Sequence, residues 1–163
     1  MEDPAIAIVR NPWEIFMSSV ETTLAERGQN SAANLLRISL GLMFLAHSVV
    51  LKLFTFGLAG TAGYFASIGL PAGLAYVVFA AEAVGGLLLL ANVATGWVAL
   101  ALVPILAGAF WAHSGNGWVF SNAGGGWEYP LFLVIVSVVV ALQAFAARAT
   151  VRRVALGSVA HPA

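Results

Sequence analysis

Apolar residues gather into four long runs, and polar and glycine-rich stretches separate them. The runs cover roughly residues 33–53, 74–91, 97–112 and 128–147. Runs of this length and polarity read as membrane-spanning helices. No alternating strand pattern of a membrane barrel is present. Asn92-Val93-Ala94-Thr95-Gly96 is a tight polar turn, so the second and third spans are expected to be antiparallel neighbours. Pro104 predicts a kink in the third. Residues 54–72 are too broken by glycine to span. They predict an external loop with a short interfacial helix around Thr61–Ile68, ended by Gly69 and Pro71. Residues 114–127 form a second glycine-rich loop, with Trp118 and Trp127 suited to the membrane interface.

Ahead of the first run the spacing changes. Asn11-Pro12-Trp13-Glu14 has the residue types of a helix start. Trp13, Phe16, Val20 and Leu24 then fall on one stripe at helical spacing, and Gly28 reads as the stop. This segment lacks the apolar centre and cleavage site of a secretory signal. It is expected to lie on the membrane surface, or to dock a partner subunit. The fold expected is therefore all-α: an integral membrane four-helix bundle with an N-terminal amphipathic interfacial helix. Residues 1–30 form the amphipathic segment, 31–148 the four-helix domain and 149–163 a basic cytoplasmic tail.

Composition agrees. The chain is 61% hydrophobic and 9% charged, with a mean hydropathy of +0.94. A soluble domain carries roughly 25% charged residues. Net charge is zero, so there is no nucleic-acid footprint. The absence of cysteine removes disulfides, thiol redox chemistry and cysteine-ligated iron–sulfur clusters. No Walker, dinucleotide-binding or zinc-binding pattern occurs. Arg10, Arg27 and Arg37 flank the first span, and Arg148, Arg152 and Arg153 follow the fourth. Four spans place both ends on one side, and the basic bias makes that side cytoplasmic. Lys52 is the exception, at the outer end of the first span.

Candidate chemistry centres on Glu82, the sole charge in the second run. A carboxylate at that depth costs a few kcal/mol or more and must be neutral, paired or functional. At 1.5 Å per residue, His47 sits roughly 9 Å below the outer end of its span and Glu82 roughly 14 Å below its own. Lys52, His113 and Glu128 lie near the outer rim. These five residues are the candidate site, a graded polar path from surface to midplane. Each also has a plainer role: Glu82 as interhelical glue with His47 or Lys52, Lys52 as a partner of Glu82 or Glu128, and His113 and Glu128 as helix-end residues. No metal site is expected. A haem held by His47 and His113 is disfavoured by their different depths.

Several ordered pieces resemble the DoxX family of small four-helix membrane proteins. They are Leu36-Arg37, Phe44-Leu45-Ala46-His47 with Lys52-Leu53-Phe54, and Phe65-Ala66-Ser67-Ile68-Gly69-Leu70-Pro71. Ala81-Glu82-Ala83-Val84-Gly85-Gly86, His113-Ser114-Gly115-Asn116-Gly117-Trp118 and Gly124-Gly125-Gly126-Trp127-Glu128-Tyr129-Pro130-Leu131 complete the set. The resemblance covers about Leu35 to Ala147. One departure stands out. The family often shows a His-Gly pair with lysine four residues later, whereas Ser48 follows His47 here and Lys52 is five away. In an α-helix five residues turn about 140°, so the two need not share a face.

The resemblance implies a membrane subunit of a quinone-linked oxidoreductase complex in a bacterial cytoplasmic membrane, with quinone as ligand and other subunits as partners. In that reading His47 hydrogen-bonds a quinone carbonyl, Glu82 exchanges a proton, and Lys52, His113 and Glu128 relay protons outward. The competing reading is a non-catalytic anchor or assembly subunit. It predicts that loss of Glu82 harms complex yield rather than turnover. Transport is a weaker fit, since one bundle of four helices with no obvious internal repeat lacks the repeat architecture of many transporters.

Overall fold

The computed structural model describes residues 11–159, with side chains described as far as Arg153. The readings of residues 1–10, Arg10 included, and of residues 160–163 lie outside the described residues. All regular structure among the described residues is helical. Helix α1 spans Pro12–Leu45 and continues without a break into a π-helical segment, Ala46–Thr55. Then come α2 (Leu58–Ser67), α3 (Leu74–Leu90) and α4 (Thr95–His113). A 3-10 turn, Ser114–Asn116, and a loop lead to α5 (Glu128–Val159).

The chain divides into two compact units between Asn34 and Leu35. The first contains the N-terminal part of α1. As expected, Asn11 starts it, with Oδ1 accepting from the Trp13 backbone N–H at 3.1 Å. Gly28 does not stop it. Ala25, Glu26 and Arg27 precede that glycine, and Ala32, Ala33 and Leu35 follow. A lone glycine among helix formers costs only about 1 kcal/mol. The hydroxyls of Ser18, Ser19, Thr22 and Thr23 bond back to carbonyls three or four residues earlier. Trp13, Phe16 and Leu24 of the expected stripe are exposed.

The second unit holds the core. Its buried members recur at helical spacing: Leu40 and Phe44 on α1, Leu89 on α3, Ala99, Leu102 and Leu106 on α4, and Leu133, Val140 and Ala141 on α5. Small residues let helices meet closely, the usual solution where lipid gives no hydrophobic drive for association. A Cβ on Gly86 would lie 2.9 Å from the Gly41 carbonyl oxygen, and one on Gly41 3.0 Å from that of Gly86. Thus α1 and α3 touch backbone to backbone. Gly85 lies under Leu102, and Gly96 under Phe145. Arg37 fixes a further point, donating through one guanidinium nitrogen to the carbonyls of Leu89 and Leu90. Those carbonyls lie in the last turn of α3, and a cation suits that end.

The Gly41–Gly86 contact makes a prediction. Gly86→Ala is expected to cost about 1–3 kcal/mol, because a neighbouring backbone must yield. Gly28→Ala, with nothing within 4 Å of the added methyl, is expected to leave stability unchanged or raise it slightly. Thermal midpoints in mild detergent measure both. Equal losses at the two sites would contradict the packing described.

A second boundary, after that at Gly28, differs from expectation. Helix α5 continues past Ala147 to Val159, carrying Arg148, Arg152 and Arg153 on helix. Alanine and arginine favour helix there, and no glycine or proline interrupts before Gly157. Among the described residues three helices are long and apolar enough to cross a membrane: Pro12–Thr55, Thr95–Asn116 and Glu128–Arg153. The fourth apolar helix, α3, has 17 residues, at the lower limit of roughly 17–25 for a span.

Candidate functional site

The π-helical segment shapes the site. Its backbone bonds skip one residue more than α-helical ones, as where the Phe56 N–H donates to the Leu51 carbonyl at 2.9 Å, and the Thr55 side-chain hydroxyl donates across the same separation to the Val50 carbonyl at 2.8 Å. Closing the turn over five residues returns residue i+5 to the side of residue i. That answers the spacing problem of His47 and Lys52. Five residues apart, they would diverge on an α-helix, and the wider turn brings them back to one side. The segment is held at both ends. Ser48, fully buried, donates to the Phe44 carbonyl at 2.7 Å. Thr61 of α2 donates to the carbonyls of Gly57, at 3.0 Å, and Lys52, at 3.4 Å.

From this segment Lys52 reaches α3. Its Nζ lies 2.6 Å from Glu82 Oε2, with the side chains 17% and 7% exposed. Of the two sequence-level partners for Lys52, the structure selects Glu82. A charge-assisted bond this short between enclosed groups is strong. Each ion offsets the desolvation of the other, and either alone would be severely costly. His47 lies within electrostatic reach of the same carboxylate.

His47 has its own partners. Its Nδ1 is 3.0 Å from the Met43 carbonyl oxygen. Its ring stacks on Tyr129 of α5, with centroids 6.0 Å apart and planes 23° apart. The Tyr129 hydroxyl donates to Met43 Sδ at 2.6 Å. Met43 therefore holds both rings, one through its carbonyl and one through its sulfur. Sequence reasoning missed Tyr129 and Met43. The available signal was a ring with a polar tip beside Glu128, at the apolar mouth of a span.

His113 and Glu128 are placed elsewhere. His113 Nδ1 donates to the Gly124 carbonyl at 2.8 Å, and Glu128 Oε1 accepts from the Phe120 N–H at 2.9 Å. Asn116 also donates to the Gly124 carbonyl, and Asn122 to that of Asn116. Trp118 and Trp127 meet edge to face at 4.5 Å. Gly126 admits no side chain, because a Cβ would fall 2.2 Å from the Val119 carbonyl oxygen. These two residues brace the 114–127 loop. Among the described residues neither bonds to Lys52, Glu82 or His47. The five candidates thus separate into a membrane-depth group and a loop-bracing pair. Among the described residues no group of three or more metal-ligating side chains occurs.

Comparison with known proteins agrees with the sequence motifs. The DoxX family matches residues 32–115, a stretch containing Lys52, Glu82 and His47. The chain is 35% identical over 108 residues to the Bacillus subtilis (strain 168) protein named "Putative oxidoreductase CatD". That match covers 66% of this chain and 75% of the relative. No solved structure matches the chain.

Proposed function

Because this chain belongs to the DoxX family of multi-pass membrane proteins, we propose that it is a membrane subunit of a quinone-linked redox complex, with the Lys52–Glu82 pair as its proton-handling centre. The enclosed pair itself carries this reading. Ionisable groups inside a membrane are costly and mark proton or substrate paths by default. The relative's name, an oxidoreductase, supports redox chemistry. Quinone reduction takes up two electrons and two protons. This chain has residues that hold protons at membrane depth. It has no cysteine and no nucleotide motif to supply electrons, so a partner subunit supplies them. Lys52 links Glu82 outward. His113 and Glu128, engaged with their loop, flank that route.

In this reading α3 crosses the membrane as a fourth, short span, accommodated by local thinning of the bilayer. Four spans place both termini on the cytoplasmic face of a bacterial inner membrane. The N-terminal part of α1, with Trp13, Phe16 and Leu24 exposed, meets the membrane surface or the partner.

A non-catalytic anchor is the second reading. The mutual satisfaction of Lys52 and Glu82 favours it, because a closed ion pair can serve as glue. The double variant Lys52→Leu/Glu82→Leu separates the two. It removes both charges and leaves no ion stranded. The complex is isolated in mild detergent with its native partners, and its reduction of a short-chain benzoquinone is measured per complex. The proton-handling reading expects normal yield and a loss of roughly hundredfold or more in turnover. Unchanged turnover per complex would overturn it and leave the anchor.

A further inference from the structure

We propose that Arg148 and Arg152 on α5 bind the headgroup of an anionic phospholipid, with Ala147 and Val151 as the floor on which its apolar part rests. The inference concerns the end of α5 opposite Glu128 and does not depend on the quinone-linked reading.

Depth places these residues at the lipid phosphates. Helix α5 starts at Glu128 and is long and apolar enough to cross a membrane. Counted from Glu128, Arg148 lies roughly 30 Å along the helix at 1.5 Å per residue. That is the thickness of the hydrocarbon layer. Arg152 follows one turn later, about 6 Å further, within the headgroup layer. The helix continues to Val159, so the backbone holds Arg148, Arg152 and Arg153 in a set arrangement around its axis.

Charge is unbalanced there. Residues 129–163 contain no Asp or Glu. The three arginines are exposed, and among the described residues none of them makes an ion pair or a hydrogen bond. Arg148 and Arg152 stand one turn apart on one helix face, where like charges repel. An anion between them removes that repulsion, and a phosphate offers each guanidinium a bidentate partner.

Shape selects a lipid over a small anion. A shallow open groove of about 340 Å3 is lined by Ala147, Arg148, Val151 and Arg152. Ala147 and Val151, the latter 70% exposed, give it an apolar floor beside the two cations. A free phosphate leaves that floor uncovered. A phospholipid covers it with its glycerol and first acyl carbons while its phosphate meets the arginines. A zwitterionic headgroup carries its own cation and brings no net charge, whereas an anionic one does, so the arginine pair favours the anionic lipid. Arg153 lies about 100° around the helix from Arg152 and does not line the groove. It adds only diffuse attraction.

The test is lipid association by the full chain in phosphatidylcholine nanodiscs. It is read from the motionally restricted fraction of spin-labelled phosphatidylglycerol and, separately, of spin-labelled phosphatidylcholine. The anionic lipid is expected to associate on the order of tenfold more strongly, and the preference to shrink at high salt. Arg148→Gln/Arg152→Gln is expected to bring the ratio near one. Arg153→Gln removes the same charge as Arg152→Gln and is expected to lower the ratio less. An excess of soluble glycerol 1-phosphate, at constant ionic strength, is expected to leave the ratio unchanged. Equal association of the two lipids by the unaltered protein overturns the inference. Equal losses in Arg152→Gln and Arg153→Gln overturn the site and leave attraction by charge alone. Displacement of the anionic lipid by glycerol 1-phosphate overturns the lipid assignment in favour of a soluble anion.

Discussion

Replacing Glu82 with leucine alone is expected to destabilise the folded protein by about 3–5 kcal/mol, and adding Lys52→Leu to recover most of that loss. The magnitude follows from enclosure. The Glu82 side chain is almost fully buried and meets Lys52 at 2.6 Å. Removing the carboxylate leaves an ammonium among apolar groups, with nothing to replace water or counter-ion. The converse single variant, Lys52→Leu, strands a carboxylate. The double variant strands neither and fills the space with hydrocarbon, an exchange that is often neutral or stabilising. Thermal midpoints of the four proteins in mild detergent form the cycle, and the coupling between the two sites is its result. Additive losses would mean that the pair is more hydrated than its burial implies. The cycle also makes the double variant a sound reagent for turnover, because a folded chain without the pair tests chemistry rather than assembly.

The second large effect concerns the π-helical segment. Deleting Val50 is expected to leave the fold within about 1 kcal/mol of the original, whereas inserting one alanine after Val50 is expected to cost as much as losing a partner of the ion pair, about 3–5 kcal/mol. The deletion sets histidine and lysine four apart, a separation that an ordinary α-helix places on one face. The wide turn then has no residue left to absorb, and the Glu82 contact persists. The insertion sets them six apart, which neither turn aligns, so Glu82 loses its counter-ion. Midpoints and membrane yields of both variants decide. A deletion as damaging as the insertion would show that the segment has another cause, such as Ser48 or Thr61 holding it.

These two cases mark how far the sequence could be read. Apolar runs located the long helices of the second unit, because burial in lipid demands long uninterrupted hydrocarbon, while the short α2 was expected from the glycine-broken 54–72 stretch and starts at Leu58, ahead of the expected Thr61. The 92–96 turn followed from its polar residues, and Asn92 and Ala94 do take left-handed conformations there. Glu82 stood out because a lone charge in such a run is costly. The end of α5 was not legible, since arginine marks where lipid stops and not where a helix stops. The π-helical segment was not legible either. Nothing local in AHSVVLKLFT announces it, and the contact it frames joins residues thirty apart in sequence. Tyr129 and Met43 escaped for the same reason. Their meeting with His47 joins α1 to α5, and periodicity within one helix carries no news of another. His113 and Glu128 were legible as polar residues at helix ends, while their engagement with the loop depended on its glycines.

The backbone contact between Gly41 and Gly86 also acts as a fulcrum. Glu82 lies one turn from it along α3, about 6 Å, while Lys52 lies eleven residues from it along α1, about 16 Å if the rise were α-helical throughout. The arms are unequal. Rocking α1 by about 5° around that point sweeps its far end by roughly 1.4 Å, while the short arm barely moves. A bond of 2.6 Å does not survive that displacement without the lysine stem following. The ion pair is therefore the sensitive end of a lever. A given change of helix tilt about that contact therefore displaces the backbone at Lys52 far more than the backbone at Glu82.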